Sequence, residues 1–93
     1  MALSAPAERP RLPYWDGVRA CKSPDATVED LQHFLETEAE DDFMVAIAGN
    51  PNATSEQIER ASQHHADFVR IAALENPNVA RSTVERIESE AAF

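Results

Sequence analysis

The sequence predicts an all-α protein, built as a short helical-repeat solenoid of about two and a half repeats behind an irregular N-terminal arm. Three observations lead to this prediction. Only two Gly and six Pro occur among 93 residues, 43% of which are hydrophobic, as in a folded and mostly helical chain. Apolar residues recur with the period of an α-helix. The triplet Asn-Pro-Asn occurs twice, at residues 50–52 and 76–78.

The length limits the chain to one domain with a modest hydrophobic core. No apolar run approaches the roughly 18 to 20 residues that a membrane span needs. Residues 1–15 also lack the apolar and basic regions of a signal peptide. We therefore expect a cytoplasmic protein without membrane partners. Cys21 is the single cysteine, which excludes an internal disulfide, and we interpret it as a buried or idle thiol.

Charge is distributed unevenly along the chain. Residues 1–22 contain four basic and two acidic side chains, so the other 71 residues carry −11 within the total formal charge of −9. Seven carboxylates and no Lys or Arg lie between residues 29 and 42. Such an acidic body would repel phosphate backbones, which disfavours direct nucleic-acid binding. The acidic segment is either a solvated surface or a surface for a basic protein.

Residues 1–22 are predicted to form the irregular arm, and residues 23–93 the helical-repeat domain. Three prolines interrupt the possible helix windows of the arm. Its aromatic pair, Tyr14 and Trp15, is too large to leave in water, and two alternatives are open. The pair either covers one end of the body or anchors in a pocket of another protein.

Helix starts can be placed from capping residues. Thr27 is positioned to cap a first helix with a helical spacing of apolar residues. Asp41 and Asp42 lie at the predicted start of the next helix, where negative charge interacts favourably with the helix dipole. Two further helices are expected to begin at Thr54 and Ser82, because Gln57 and Glu85 follow them at the spacing of a capping box.

Each Asn-Pro-Asn triplet is predicted to end a helix. Proline cannot continue a helix because it lacks the backbone donor, and Gly49 and Asn50 tolerate the left-handed conformation common at helix ends. The predicted corners of the repeat are Asn50, Pro51, Asn52, Asn76, Pro77 and Asn78.

A shift of 26 residues superimposes the two triplets and also places apolar residues on apolar residues on both sides, as with Ile58 and Val84. A degenerate third copy surrounds Pro24, which precedes Pro51 by 27 residues. Helical units of this kind bury their apolar faces only by stacking on their neighbours. The overlay therefore predicts a repeat rather than two unrelated helix stops.

The segments FMVAIAGNPNATSEQIERAS and FVRIAALENPNVARSTVERIE resemble the variant leucine-rich repeat, which has a Val-Arg-x-Ala-Val-Ala-x-Asn-Pro-Asn core followed by a capped helix. The resemblance covers about residues 23–93. It implies a right-handed solenoid in which α-helices alternate with shorter, partly 3₁₀ helices. It brings no catalytic residue. Some relatives hold an iron–sulfur centre on several cysteines, which Cys21 alone cannot supply, so no cofactor is expected.

Catalytic chemistry has little support in the sequence. The only group with metal-ligand chemistry is His64 and His65 with Asp67, plus His33 one repeat earlier. Adjacent histidines on a helix point about 100° apart, which disfavours a shared metal ion. A nucleophile elbow and a Gly-rich phosphate loop are both missing from the sequence. An enzyme is therefore the least favoured class.

Two functions from different classes remain open. In the first, the protein is an adaptor or inhibitor that binds a partner protein through its repeat surface and its N-terminal aromatic arm. The residues expected at that surface are Tyr14, Trp15, Arg60, Arg70, Asp41 and Asp42. In the second, the acidic body mimics nucleic acid and blocks the basic groove of a DNA- or RNA-binding protein.

The two ends of the repeat array lead to a further expectation. Two and a half repeats fall short of the three or so that are usually needed for stability. We expect the arm to cap one end, and the other end to form a homodimer or to bind the partner. The small size suggests a modulator of a larger machine, of bacterial or phage origin.

Overall fold

The chain folds into six α-helices in a computed structural model that describes residues 13–64 and 66–90. The helices are α1 (Tyr14–Lys22), α2 (Val28–Thr37), α3 (Asp41–Gly49), α4 (Ser55–Ala61), α5 (Asp67–Glu75) and α6 (Arg81–Glu90). These residues contain no β-strand. The predicted all-α class is therefore confirmed.

Helix α1 corrects the prediction of an irregular arm. Residues 14–22 are helical, so the prediction is wrong for this part of the segment 1–22. Pro13 lies immediately before the first helical residue, where the missing N–H of proline costs no hydrogen bond. Its carbonyl accepts the first helical hydrogen bond, from the Gly17 N–H at 2.9 Å. The proline therefore starts a helix here instead of preventing one.

The same hydrophobic core includes residues from both predicted parts of the chain. Val18 and Cys21 of α1 are buried in it together with Leu31, Ile47 and Ile58 of the helices that follow. Residues 1–12, the remainder of the predicted arm, lie outside the described residues.

The caps predicted at Thr27 and Thr54 are confirmed. The Thr27 hydroxyl accepts from the Asp30 N–H at 3.0 Å, and the Asp30 carboxylate accepts from the Thr27 N–H at 3.1 Å. Thr54 and Gln57 make the same reciprocal pair, at 3.1 and 3.0 Å. These pairs satisfy backbone donors that the first helical turn leaves without partners, which explains where α2 and α4 begin.

The capping box predicted at Ser82 is wrong. Helix α6 begins one residue earlier, at Arg81, so Ser82 already lies inside the first turn. The next residue, Thr83, donates its hydroxyl to the Glu59 carboxylate at 2.7 Å. The first turn of α6 therefore contacts α4, although the sequence pattern predicts that this turn caps its own helix.

The helices lie in two sets. In the first set, α3 packs between α1 and α5; in the second, α2 and α4 contact each other and also α3. Helix α6 is joined to α4 through polar contacts of Thr83 and Arg86 with Glu59. Helix α3 is thus the centre of the molecule, and it carries five of the buried residues: Phe43, Met44, Ala46, Ile47 and Ala48.

Two expectations about helix type and helix ends are wrong. All six helices are α-helical, including the seven-residue α4, and no 3₁₀ segment occurs in residues 13–64 and 66–90. The described backbone also contains no residue with positive φ. Asn50 and Asn76 are extended, with φ/ψ of −79°/126° and −78°/127°. The proline that follows each asparagine explains this, because it disfavours the helical region for the residue before it.

None of the described helices is both long and apolar enough to cross a membrane.

Candidate functional site

Three turns of the molecule have the same backbone hydrogen bond. Within each turn, the N–H of the fourth residue donates to the carbonyl of the first, at 3.0–3.1 Å. We call them the first turn (23–26), the second turn (50–53) and the third turn (76–79). In each, the N–H of the third residue also donates to the side-chain oxygen of the first, at 2.8–3.0 Å. The degenerate copy at Pro24 therefore has the geometry of the two Asn-Pro-Asn copies.

The first asparagine of each triplet bonds its turn to the turn before it. The Asn50 side-chain amide donates to the carbonyls of Cys21 and Ser23 at 2.6 and 3.0 Å. The Asn76 amide donates to the carbonyls of Ala48 and Asn50, both at 2.8 Å. Both asparagine side chains are buried, so these bonds replace water at carbonyls that end the preceding helix.

The last asparagine of each triplet makes a parallel set of bonds. The Asn52 amide donates to the carbonyls of Pro24 and Ala26, both at 2.8 Å. The Asn78 amide donates to Pro51 and Ala53, at 2.6 and 3.1 Å. Sequence reasoning interpreted the triplets as helix stops, but their side chains also hold successive turns together.

The third turn has carbonyl groups that correspond to the acceptors of the second turn. No side-chain amide among the described residues contacts these groups. They belong to the residues 26 positions after the acceptors of the second turn. We call these groups the terminal carbonyls: Leu74, Asn76, Pro77 and Val79.

Apolar side chains recur in the last copy 26 residues after Val45, Ala48, Ala53 and Ile58. We call them the end face: Ile71 and Leu74 of α5, Val79 of the third turn and Val84 of α6. Ile71 is 53% exposed and Leu74 38% exposed, whereas Ala48, the counterpart of Leu74 in α3, is completely buried. The counterparts of Val79 and Val84 are likewise completely buried. The end face of α5 and α6 therefore corresponds to a surface of α3 and α4 that the fold buries.

The opposite end of the molecule is polar. Asp16 and Arg19 of α1 occupy positions that correspond, after a shift of 27 residues, to the buried Phe43 and Ala46 of α3. They form an exposed ion pair at 2.8 Å. A polar outer face is what a terminal helical repeat needs for solubility. The two ends thus differ, with a charged surface at α1 and an apolar surface at α5 and α6.

The aromatic pair of α1 is divided between two environments. Tyr14 packs edge-on against Phe43, with ring centroids 5.3 Å apart, and its hydroxyl donates to the Asp42 carboxylate at 2.8 Å. Partial burial, together with Asp42 and the nearby Glu40, raises the pKa of Tyr14 to about 12. Trp15 contacts the Tyr14 ring edge-on but remains 61% exposed. Of the pair, Trp15 is the more exposed side chain, since Tyr14 is 37% exposed.

Two of the other predicted surface residues border a cleft of about 540 Å³ between α2 and α4. Arg60 lines this cleft beside His64 and Met44. Asp41 reaches its edge, with a carboxylate oxygen 3.3 Å from His64 Nδ1. The neighbouring His65 lies outside the described residues. In the described part of the chain, no group of three or more metal-ligating side chains could hold a metal ion.

Arg70 is committed to contacts inside the molecule. Its guanidinium lies 2.9 Å from Asp67 and 3.9 Å from Glu90, and its side chain is only 17% exposed. The pair with Asp67 lies within α5, and the pair with Glu90 joins α5 to the end of α6. Arg70 therefore acts within the fold, whereas Arg60 is available at the surface.

Glu59 is the centre of the polar contact between α4 and α6. Its carboxylate accepts from Thr83 at 2.7 Å and from the Arg86 Nε at 3.1 Å. Burial opposes the ionisation of Glu59, but hydrogen bonds from Thr83, Gln63 and Arg86 outweigh that effect and lower its pKa. Arg86 also donates to the Ser62 hydroxyl at 2.5 Å. Contacts with α6 therefore favour the ionised form of Glu59.

Cys21 is completely buried. Burial, together with Glu38 and Asp30, raises the pKa of its thiol to about 12. A thiol that stays protonated at neutral pH is a poor nucleophile. Its backbone carbonyl, by contrast, accepts the Asn50 amide.

The residues of the end face were not among the predicted surface residues. The signal that could have identified them is the 26-residue overlay, which places Ile71 on Val45 and Leu74 on Ala48. No later copy among the described residues covers these two positions. The larger side chains at both positions in the last copy increase the apolar area exposed there.

Comparison with known proteins gives no match, either to a protein-family model or to a curated protein or a solved structure.

Proposed function

We propose that this protein is a non-enzymatic protein–protein interaction module, an adaptor or inhibitor that binds a partner protein through its end face. The observation that carries the proposal is the exposure of Ile71 and Leu74 at positions where α3 is covered by α5. Transfer of such apolar surface from water into an interface is favourable, at roughly 25 cal/mol per Å². A contiguous apolar patch with a polar rim is typical of a protein-binding surface.

The architecture that we propose for this module is a short right-handed solenoid of the variant leucine-rich repeat kind. Its support is the equivalence of the three turns at intervals of 27 and 26 residues, together with their shared amide bonds. In a stacked array of this kind each repeat contacts only its neighbours, so the last repeat presents a surface suited to one more neighbour.

The N-terminal contribution to binding comes from Trp15 in this proposal. Tyr14 is committed to Phe43 and Asp42 within the fold, while the Trp15 ring is largely exposed. Exposed tryptophan is a common anchor in protein interfaces. Arg60 and Asp41, at the cleft between α2 and α4, offer charged contacts at a second, separate surface.

The test is affinity capture from a cytoplasmic extract, the compartment that the sequence predicts, with matched variants. Leu74→Asp places a charge in the end face, whereas Val28→Asp places the same charge at an exposed apolar residue at the start of α2. We expect the Leu74 variant to lose the partner that the wild type and the Val28 variant retain. Retention of the same partner by the Leu74 variant would exclude the end face as the binding surface.

The nucleic-acid mimic has less support as a second candidate. A mimic needs carboxylates that are free to replace phosphates on one face. Within the acidic segment, Asp30 serves the Thr27 cap, Asp42 accepts from Tyr14 and Asp41 contacts His64. Several of the carboxylates thus have partners within the fold.

A further inference from the structure

The end face and the terminal carbonyls correspond to a surface inside the molecule. That surface belongs to α3, the second turn and α4, and it contacts α5, the third turn and α6. We propose that they bind a helix–turn–helix segment of a different polypeptide, whose turn carries a side-chain amide and whose second helix carries a basic residue. This inference rests on the proposed function and adds the chemistry by which the partner is recognised.

The amide requirement follows from the bonds between turns. The first turn accepts the Asn50 amide and the second turn accepts the Asn76 amide, in each case on two carbonyls. The third turn offers the corresponding pair, the carbonyls of Leu74 and Asn76. A side-chain amide has two N–H donors and fits such a pair, whereas a carboxylate has none and would be repelled by the carbonyl oxygens.

The requirement for an apolar first helix follows from α5. This helix packs on α3 through small and apolar residues, with Ala72 3.7 Å from the position of a Cβ at Gly49. Val69 and Ala73 of the same helix are completely buried. A partner helix with similar residues would cover Ile71 and Leu74 in the way that α5 packs on α3.

The requirement for a basic second helix follows from Glu59. This carboxylate accepts from Arg86 of the next helix in the same layer. Glu85 lies 26 residues after Glu59 and is exposed, with Arg81 as its ion-pair partner at 3.6 Å. The exposed Glu88 nearby has no ion pair among the described residues. Glu85 thus occupies the position at which the internal interface uses an acid to bind an arginine.

A second copy of this chain fits the surface poorly. Its exposed turn is the first turn, which has Ser23 and Asp25 where the later turns have asparagine, and thus no side-chain amide. Two end faces brought together would present only carbonyls to each other, because the amides of Asn76 and Asn78 are already used within their own chain. These features favour a different polypeptide.

The test is an NMR titration of the ¹⁵N-labelled full chain with a synthetic peptide that copies residues 66–90. This peptide contains the apolar helix, the amide-bearing turn and a second helix that carries Arg86. We expect it to shift the backbone amides of Ile71, Leu74 and Val79 with a Kd below about 1 mM. A control peptide with Asn76→Asp should bind at least about tenfold more weakly, because it has lost the amide donors.

Three results would overturn the inference. They are equal binding of both peptides, no binding at millimolar concentration, and shifts confined to α3, which would mean that the peptide displaces α5. Sedimentation of the full chain is the second measurement, since a dimer that Leu74→Asp abolishes would identify a second copy as the occupant. Loss of the captured partner by Leu74→Asp, together with equal binding of both peptides, would support the proposed function and contradict only the recognition of a side-chain amide.

Discussion

The side-chain amide of Asn76 donates to the backbone carbonyl of Asn50 at 2.8 Å, so the second Asn-Pro-Asn triplet is bonded directly to the first. Asn50 in turn donates its own side-chain amide to Ser23 at 3.0 Å. This chain of bonds connects three turns that are far apart in the sequence. It makes each asparagine a contact between helix pairs.

Replacement of Asn76 by Ala should lower the free energy of unfolding by about 2 to 4 kcal/mol, because two buried carbonyls each lose the hydrogen bond from its side-chain amide. Urea denaturation measures the loss. The matched control is Asn78→Ala, which also removes two bonds but at an exposed side chain, where water can replace them. We expect about 1 kcal/mol or less for this control. Equal losses for the two variants would contradict the role assigned to burial.

Glu59→Gln should make the stability less dependent on pH. The pKa of Glu59 is lowered in the folded state from the usual 4.5, so its contribution is present above pH 4.5 and is lost as the pH falls through the folded value. Gln retains an acceptor for Thr83 but removes the charge that pairs with Arg86. We therefore expect the variant to be less stable than the wild type at pH 7, with a difference that shrinks towards pH 3. Urea denaturation of both proteins across this range is the measurement.

Ionisation of Tyr14 reports directly on the contact between α1 and α3. It is the single tyrosine of the chain, so tyrosinate absorbance measures this group alone. We expect an apparent pKa of about 12 instead of 10.0, with the corresponding stability present below pH 10 and lost as the pH rises towards 12. Asp42→Asn should shift the titration towards 10, because it removes the charge next to the hydroxyl. An unchanged titration in this variant would contradict the hydrogen bond.

The two glycines should respond in opposite directions to alanine. A Cβ at Gly17 would lie 3.0 Å from Cζ of the buried Phe43, whereas a Cβ at Gly49 would lie 3.7 Å from the Cβ of Ala72. Alanine favours a helix by about 1 kcal/mol over glycine. Gly49→Ala should therefore be neutral or slightly stabilising, while crowding at Phe43 should make Gly17→Ala destabilising by about 1 kcal/mol. Thermal unfolding of the pair provides the comparison.

The salt dependence of the captured complex separates the two functional classes. A nucleic-acid mimic with six or more phosphate-like contacts should lose on the order of 10³-fold in affinity between about 50 and 200 mM salt. Binding through the apolar end face should change by about tenfold or less, because only the rim is charged. Titration at both salt concentrations is the measurement, and a steep loss would favour the mimic.

Several helix boundaries could be predicted because their causes are local. Thr27 and Thr54 cap their helices with residues three positions ahead, and such spacing is visible in the sequence. Helix α1 differs from the prediction because Pro13 precedes its first turn, where a proline does not break a helix. The start of α6 was misplaced because Thr83 bonds to Glu59 of another helix rather than to its own backbone.

The candidate site could be predicted only in part. Of the predicted surface residues, Trp15 and Arg60 are exposed, but Tyr14 and Arg70 are held by contacts inside the molecule. Long polar and aromatic side chains can either remain exposed at the surface or make contacts inside the molecule. Which role each one takes depends on the charges and rings that packing brings near, such as Asp67 and Phe43.

Apolar periodicity and capping spacing, both properties of a few neighbouring residues, were sufficient to establish that the chain is helical and to locate the three turns. The tertiary structure decided what those turns do. The Asn76 amide reaches acceptors 26 and 28 residues away, so its role exists only once the helix pairs are stacked. The same packing decides which positions are covered, because Ala48 is completely buried whereas Leu74, its counterpart 26 residues later, is 38% exposed.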